Sequence, residues 1–172
     1  KKKINFDINN FKKFKDKIVY IKVEKQPNDL LEIYENDTKD KKGEKLILNG
    51  MSRDYFQREN LQLGLKNISE EDLVLISDLD EIPNLENLDK NIINNNIVIF
   101  EQKMFYYKFN LHYENFTWHG TKGIKFKNFQ SPQWLRNIKG KKYSKWRLDV
   151  LFSKKKFSNI SFVKDGGWHF SC

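Results

Sequence analysis

The chain has 172 residues, with 32 Lys and Arg against 23 Asp and Glu and a formal charge of +9. That length predicts one domain over residues 1–172 with a single core, and no window approaches the ~18 unbroken apolar residues of a membrane span. Residues Lys1-Lys2-Lys3-Ile4-Asn5 hold no apolar signal-peptide core, which favours a cytoplasmic location, and the one cysteine, Cys172, allows no internal disulfide and leaves the compartment open. Hydrophobic content is low at 38%, but 15% of the chain is aromatic, and aromatic side chains bury large areas each. The lysines are spread thinly among acids, without zinc-finger spacing or an RNP-type aromatic run. They predict solvated surface rather than a nucleic-acid partner, with a minor share able to attract a diphosphate.

Taken in chain order, Lys17 to Glu24 sets Ile18, Tyr20 and Lys22 on one face and Val19, Ile21 and Val23 on the other, and predicts a strand. Residues 26–50 are polar, with Pro27, Asn28 and Gly43, and predict a loop. Ser52 is placed to cap a helix running to about Asn67, which carries Arg53 and Arg58. Leu73 to Ile76 is a short apolar run, predicted as a strand buried on both faces. Three acids follow, Asp78, Asp80 and Glu81, and then Pro83, which predicts the first residue of a helix marked by Leu85 and Leu88. An Asn94-Asn95-Asn96 turn leads to strands at Ile97–Phe100, Phe105–Phe109 and Gly123–Phe126. Ser131 and Pro132 predict the start of a second short helix. Ile160 to Val163 predicts a last strand, delivering Gly166-Gly167-Trp168-His169 to a loop beyond it. The pattern is that of an α/β fold, a mixed sheet with added antiparallel strands.

The acidic run carries the chemistry. In open α/β sheets ligands sit at the carboxyl ends of strands, and two carboxylates spaced i, i+2 on an extended segment can converge on one hard cation. Magnesium and manganese take such oxygen ligands and bridge the phosphates of nucleotide substrates. A solvated turn is the plain alternative for the same residues. A metal-dependent phosphatase with Asp78 as nucleophile is the chemical one. That pattern expects Thr or Val two residues after the second Asp, where this chain has Ile82. A basic, non-catalytic module binding polyanions is the third.

Ser77-Asp78-Leu79-Asp80-Glu81-Ile82-Pro83 resembles the signature of glycosyltransferase family 17, which contains the β-1,4-mannosyl-glycoprotein N-acetylglucosaminyltransferases. Upstream, Arg53-Asp54-Tyr55-Phe56-Gln57-Arg58-Glu59-Asn60 resembles the family's preceding helix. Downstream, Gly166-Gly167-Trp168-His169-Phe170-Ser171 resembles its Gly-Trp-His-x-Ser motif. Trp118-His119-Gly120 and Ser131-Pro132-Gln133-Trp134-Leu135-Arg136 fit more loosely, and the similarity runs from about Phe11 to Cys172.

The resemblance implies a GT-A-like (Rossmann-like) mixed sheet flanked by helices and an inverting, metal-dependent transfer. The donor implied is a UDP-sugar, UDP-GlcNAc first, the acceptor a glycan or glycoprotein, and the cofactor Mn2+ or Mg2+. Asp80 is then the metal ligand. Asp78 reaches the metal through water or binds donor hydroxyls, and His169 binds the same metal or the diphosphate. Arg58, ahead of Arg53, sits near the donor, and Glu81 supports the site or caps the helix after it. Trp168 and Trp118 are core residues or sugar platforms. For the base, which the sequence does not identify, Glu101 after the Ile97–Phe100 strand and Asp165 near the His motif are alternatives, and Asp165 does not belong to the family pattern. The family's usual length also implies a domain incomplete at its N-terminus, lacking a βα unit. The expected marks are an exposed sheet edge and no base pocket within residues 1–60.

Overall fold

The computed structural model describes residues 6–94, 96–107 and 109–171. Outside these lie residues 1–5, the middle of the predicted Asn94–Asn96 turn, Lys108 of the predicted Phe105–Phe109 strand, and Cys172. The chain divides into two compact units, Lys1–Lys66 and Asn67–Cys172. The reason is visible in the first of them. Residues 17–24, predicted as a strand, join no ladder among the described residues, so all the described strands come from the second unit. Alternation alone does not make a strand; a partner edge must take its hydrogen bonds.

The first unit is built on one long helix, α1 (Lys39–Glu59). Thr38 caps it, its hydroxyl accepting from the Lys41 backbone N–H at 3.3 Å, with Asp40 in the first turn. The predicted loop at 26–50 is therefore half helix, and Ser52 lies inside α1 rather than at its start. Lys39, Asp40, Lys41 and Glu44 are exposed while Lys45 turns inward to pair with Asp37, and Lys and Glu are good helix formers there. Asn49, buried in α1, accepts from the Leu31 N–H at 2.7 Å and donates to the Leu31 carbonyl at 2.8 Å. That pair pins the incoming chain to the helix. An open cleft of about 340 Å³, lined by Tyr20, Lys22, Lys25, Arg53 and Phe56 among others, lies in this unit.

The second unit is a curled mixed sheet in the order β1-β4-β3-β6-β2, with β5 also paired to β3. Its strands are β1 (Leu73–Ile76), β2 (Glu81–Pro83), β3 (Ile97–Tyr106), β4 (Leu111–Lys125), β5 (Ile160–Val163) and β6 (Gly167–Ser171). β1 is not the strand buried on both faces that its apolar run predicts. It pairs antiparallel with β4 at one end of the sheet, and only Val74 and Ile76 are fully buried. β3 is the spine, antiparallel to β4 and parallel to β5 with its first half and to β6 with its second. Two 3-10 turns, Leu85–Asn87 and Lys90–Ile93, replace the helix predicted after Pro83. Pro83 itself ends β2, where the missing N–H costs no ladder bond. One predicted helix is in place, α2 (Pro132–Asn137), capped by Ser131, whose hydroxyl accepts from the Trp134 N–H at 3.1 Å; a further turn, α3, spans Leu148–Leu151. The core lies on both faces of β3: Val98, Phe100, Ile93 and Val163 on one side, Ile97 and Ile99 on the other. No helix among the described residues is long and apolar enough to cross a membrane.

Candidate functional site

Five pieces of the second unit meet at one place. The β1–β2 connection brings Asp78 and Asp80, β2 brings Glu81, β4 brings Trp118, β6 brings His169, and Arg136 arrives from α2. The side chain of Glu81 has no exposed surface, and such a carboxylate must be paired. Arg136 supplies the pairing: Nη2 donates to Glu81 Oε1 at 2.7 Å and Nη1 to Oε2 at 3.1 Å. The same guanidinium donates to Asp78 Oδ2 at 2.6 Å and to the Gly120 carbonyl at 2.9 Å. The Trp118 indole N–H donates to Glu81 Oε1 at 2.8 Å, and the Asp78 backbone N–H donates to Oε2 at 3.1 Å. Fork-to-fork geometry of this kind is the strong form of an ion pair. Glu81 is thus an internal brace, not the cap of a following helix.

Asp80 and His169 form the open half of the site. The ring of His169 stacks on Trp118 with centroids 4.4 Å apart and planes 14° apart. β2 and β6 set Glu81 opposite His169, and the Phe170 N–H donates to the Asp80 carbonyl at 2.9 Å. This puts His169 Nδ1 3.8 Å from Asp80 Oδ1, although 89 positions separate the two residues in sequence. His169 lies in strand β6, not in a loop beyond it. Its Nδ1 is buried without a hydrogen-bond partner, while Asp80 is 46% exposed. An orphaned buried nitrogen with a half-exposed carboxylate beside it suits a shared cation with remaining positions open to ligand or water oxygens. Among the described residues no group of three or more His, Cys, Asp or Glu is arranged to hold a metal by itself. Asp80 and His169 therefore fit an ion completed from outside the protein. Leu79, between the two aspartates, stands fully in solvent.

The remaining predicted residues lie elsewhere. Successive residues of a strand face opposite sides. Gln102 pairs with Trp118 and Met104 with His169, so Glu101 and Lys103 point the other way. Glu101 sits 3.7 Å from His119, and Asp165 pairs with Lys103 at 3.2 Å. Both line a separate cleft of about 340 Å³ with His112 and Glu114. Neither shares a face with Asp80 and His169. Trp168, in register with Lys103, faces away too. Arg53 and Arg58 belong to α1 of the first unit, where Arg53 Nε donates to Gln26 Oε1 at 2.8 Å. Arg136 is the residue that sequence spacing did not single out, since its partners lie 55 and 58 positions upstream. Its local signals are the Ser-Pro start of the helix that carries it and that segment's loose fit to the family pattern. Compared with family models, with curated proteins and with solved structures, the chain matches none of them.

Proposed function

We propose that this site is the donor-phosphate end of a metal-dependent, inverting glycosyltransferase with a GT-A-like arrangement. The donor is a UDP-sugar, UDP-GlcNAc first, and the acceptor a glycan hydroxyl. The observation that carries the proposal is the pair of Asp80 Oδ1 and the unpartnered His169 Nδ1, 3.8 Å apart beside the Arg136 brace. A divalent ion, when bound, supplies the positive charge that a departing diphosphate needs. In this proposal Asp80 and His169 hold it, and Trp118 keeps the imidazole oriented by stacking. Asp78, held by the Arg136 guanidinium, borders the donor. The same contact weighs against the phosphatase alternative, because a carboxylate oxygen clamped at 2.6 Å by a guanidinium is a poor nucleophile. Glu101 and Asp165 are not carried forward as bases, because they face the other side of the sheet.

Titration of UDP with manganese by calorimetry tests the proposal. Asp80→Ala is expected to weaken metal-dependent UDP binding about ten- to a hundredfold with the fold intact, as loss of one ligand from a sparse site should. Omitting manganese should have the same effect on the wild type. Equal affinity in mutant and wild type, or binding indifferent to manganese, would end the claim.

A further inference from the structure

α2 has six residues, too few to hold its place by helix propensity. Its end is met by a buried cation. Lys122, 6% exposed on β4, donates from Nζ to the Arg136 carbonyl at 2.6 Å and also to the Ile138 carbonyl. Carbonyls at a helix C-terminus are the ones left without intrahelical partners, and they carry the negative end of the dipole. One of the two belongs to the residue whose guanidinium spans Asp78 and Glu81. Lys122 thus fixes the backbone of Arg136 while Gly120 and the carboxylates fix its side chain.

We propose that Lys122 is the positioning residue of this carboxylate cluster, tying the end of α2 to β4 so that Arg136 is aimed between Asp78 and Glu81. The role concerns how the cluster is held and stands whether or not the site transfers a sugar. A Lys in this position is costly to bury. The charged groups facing it are Arg136 of α2, Glu81 of β2 and Asp78 of the connection before it. Burial, then Arg136, lowers its pKa from 10.5 to about 8, against the opposing pull of Glu81 and Asp78. The sign follows: the folded protein releases the Lys122 proton as pH rises through about 8, whereas the unfolded chain holds it to the ordinary value. Folding therefore disfavours the charged form, and Lys122 contributes a gain in stability as pH rises from about 8 to 10.5.

The Trp118 indole N–H, which donates to Glu81, reports the cluster by NMR without any donor present. Its resonance is assigned by its loss in Trp118→Phe. In Lys122→Met that resonance is expected to shift by more than a linewidth, while the methyls of Val98 and Val163 stay in place. An unmoved indole in a folded Lys122→Met protein overturns the proposal. Should that variant fail to fold, pH titration decides instead. An inflection near pH 8 is expected in the wild type and equally in His169→Gln, since His169 stacks on the same ring. A flat indole shift across that range, or an inflection lost with His169, overturns it.

Discussion

Arg136→Met is expected to lower the stability of the second unit by about 3–5 kcal/mol, the usual cost of breaking one side of a buried ion pair. The loss falls mainly on Glu81, whose carboxylate is wholly buried and would keep only the Trp118 indole and the Asp78 N–H. Asp78 is 38% exposed, so water takes over part of its share. For a unit of this size each kcal/mol moves Tm by about 4–8 °C, so a fall of more than about 10 °C should appear in a thermal melt. The double variant Arg136→Met/Glu81→Gln should recover part of it, because the neutral amide no longer leaves a buried charge unpaired. Additive losses in the double variant, or a single-variant loss below about 1 kcal/mol, would show that the brace is not what holds this site.

Gly167→Ala should damage the same region through the backbone. Gly167 opens β6 at φ +120°, a conformation L side chains rarely adopt. A Cβ there would lie 2.0 Å from the Ile82 carbonyl oxygen and 2.8 Å from the Asn84 nitrogen, both main-chain atoms that cannot swing aside. β2 would have to leave β6, and with it the register that sets Glu81 opposite His169. The expected cost is about 4 kcal/mol or more, together with loss of manganese-dependent UDP binding. Gly43→Ala is the control. It lies inside α1 with nothing within 4 Å of its would-be Cβ, and it should stabilise the first unit by about 0.5–1 kcal/mol. A melt unchanged by Gly167→Ala would refute the strain argument.

How far the sequence alone reaches can be seen residue by residue. β1, β5 and α2 fall where the apolar runs Leu73–Ile76 and Ile160–Val163 and the Ser131-Pro132 cap place them. Each of those signals is complete within a few neighbouring residues: an apolar run, a hydroxyl ahead of a proline. Asp78, Asp80 and His169 were also recognisable as a candidate set, from the acid run after a strand and the glycines before the histidine. What misled was local pattern without a partner. Lys17 to Glu24 alternates as a strand does but finds no edge to join, and the charged stretch after Thr38 is a solvated helix face.

Tertiary structure decided the rest, because pairing and register are properties of segments far apart in the chain. One extra residue of β4 opposite β3, between the Ile99–Lys122 and Glu101–His119 pairs, fixes which β4 residues stand beside Gln102 and which beside Glu101. Gly120 lies in that stretch, as glycines at bulges often do, but a glycine alone does not say which β3 residue it will face. The bulge puts Trp118 on the side of Glu81 and His169, and sends His119 and Glu101 to the other. The Arg136 brace has the same origin. Its carboxylates are 55 and 58 residues away and meet it only because β1, β4 and α2 pack together. Composition and short-range periodicity determined that this chain forms an α/β protein with an acidic turn after a buried strand. Only the folded sheet turned that turn into a site, by covering Glu81 completely and leaving Asp80 half open beside His169.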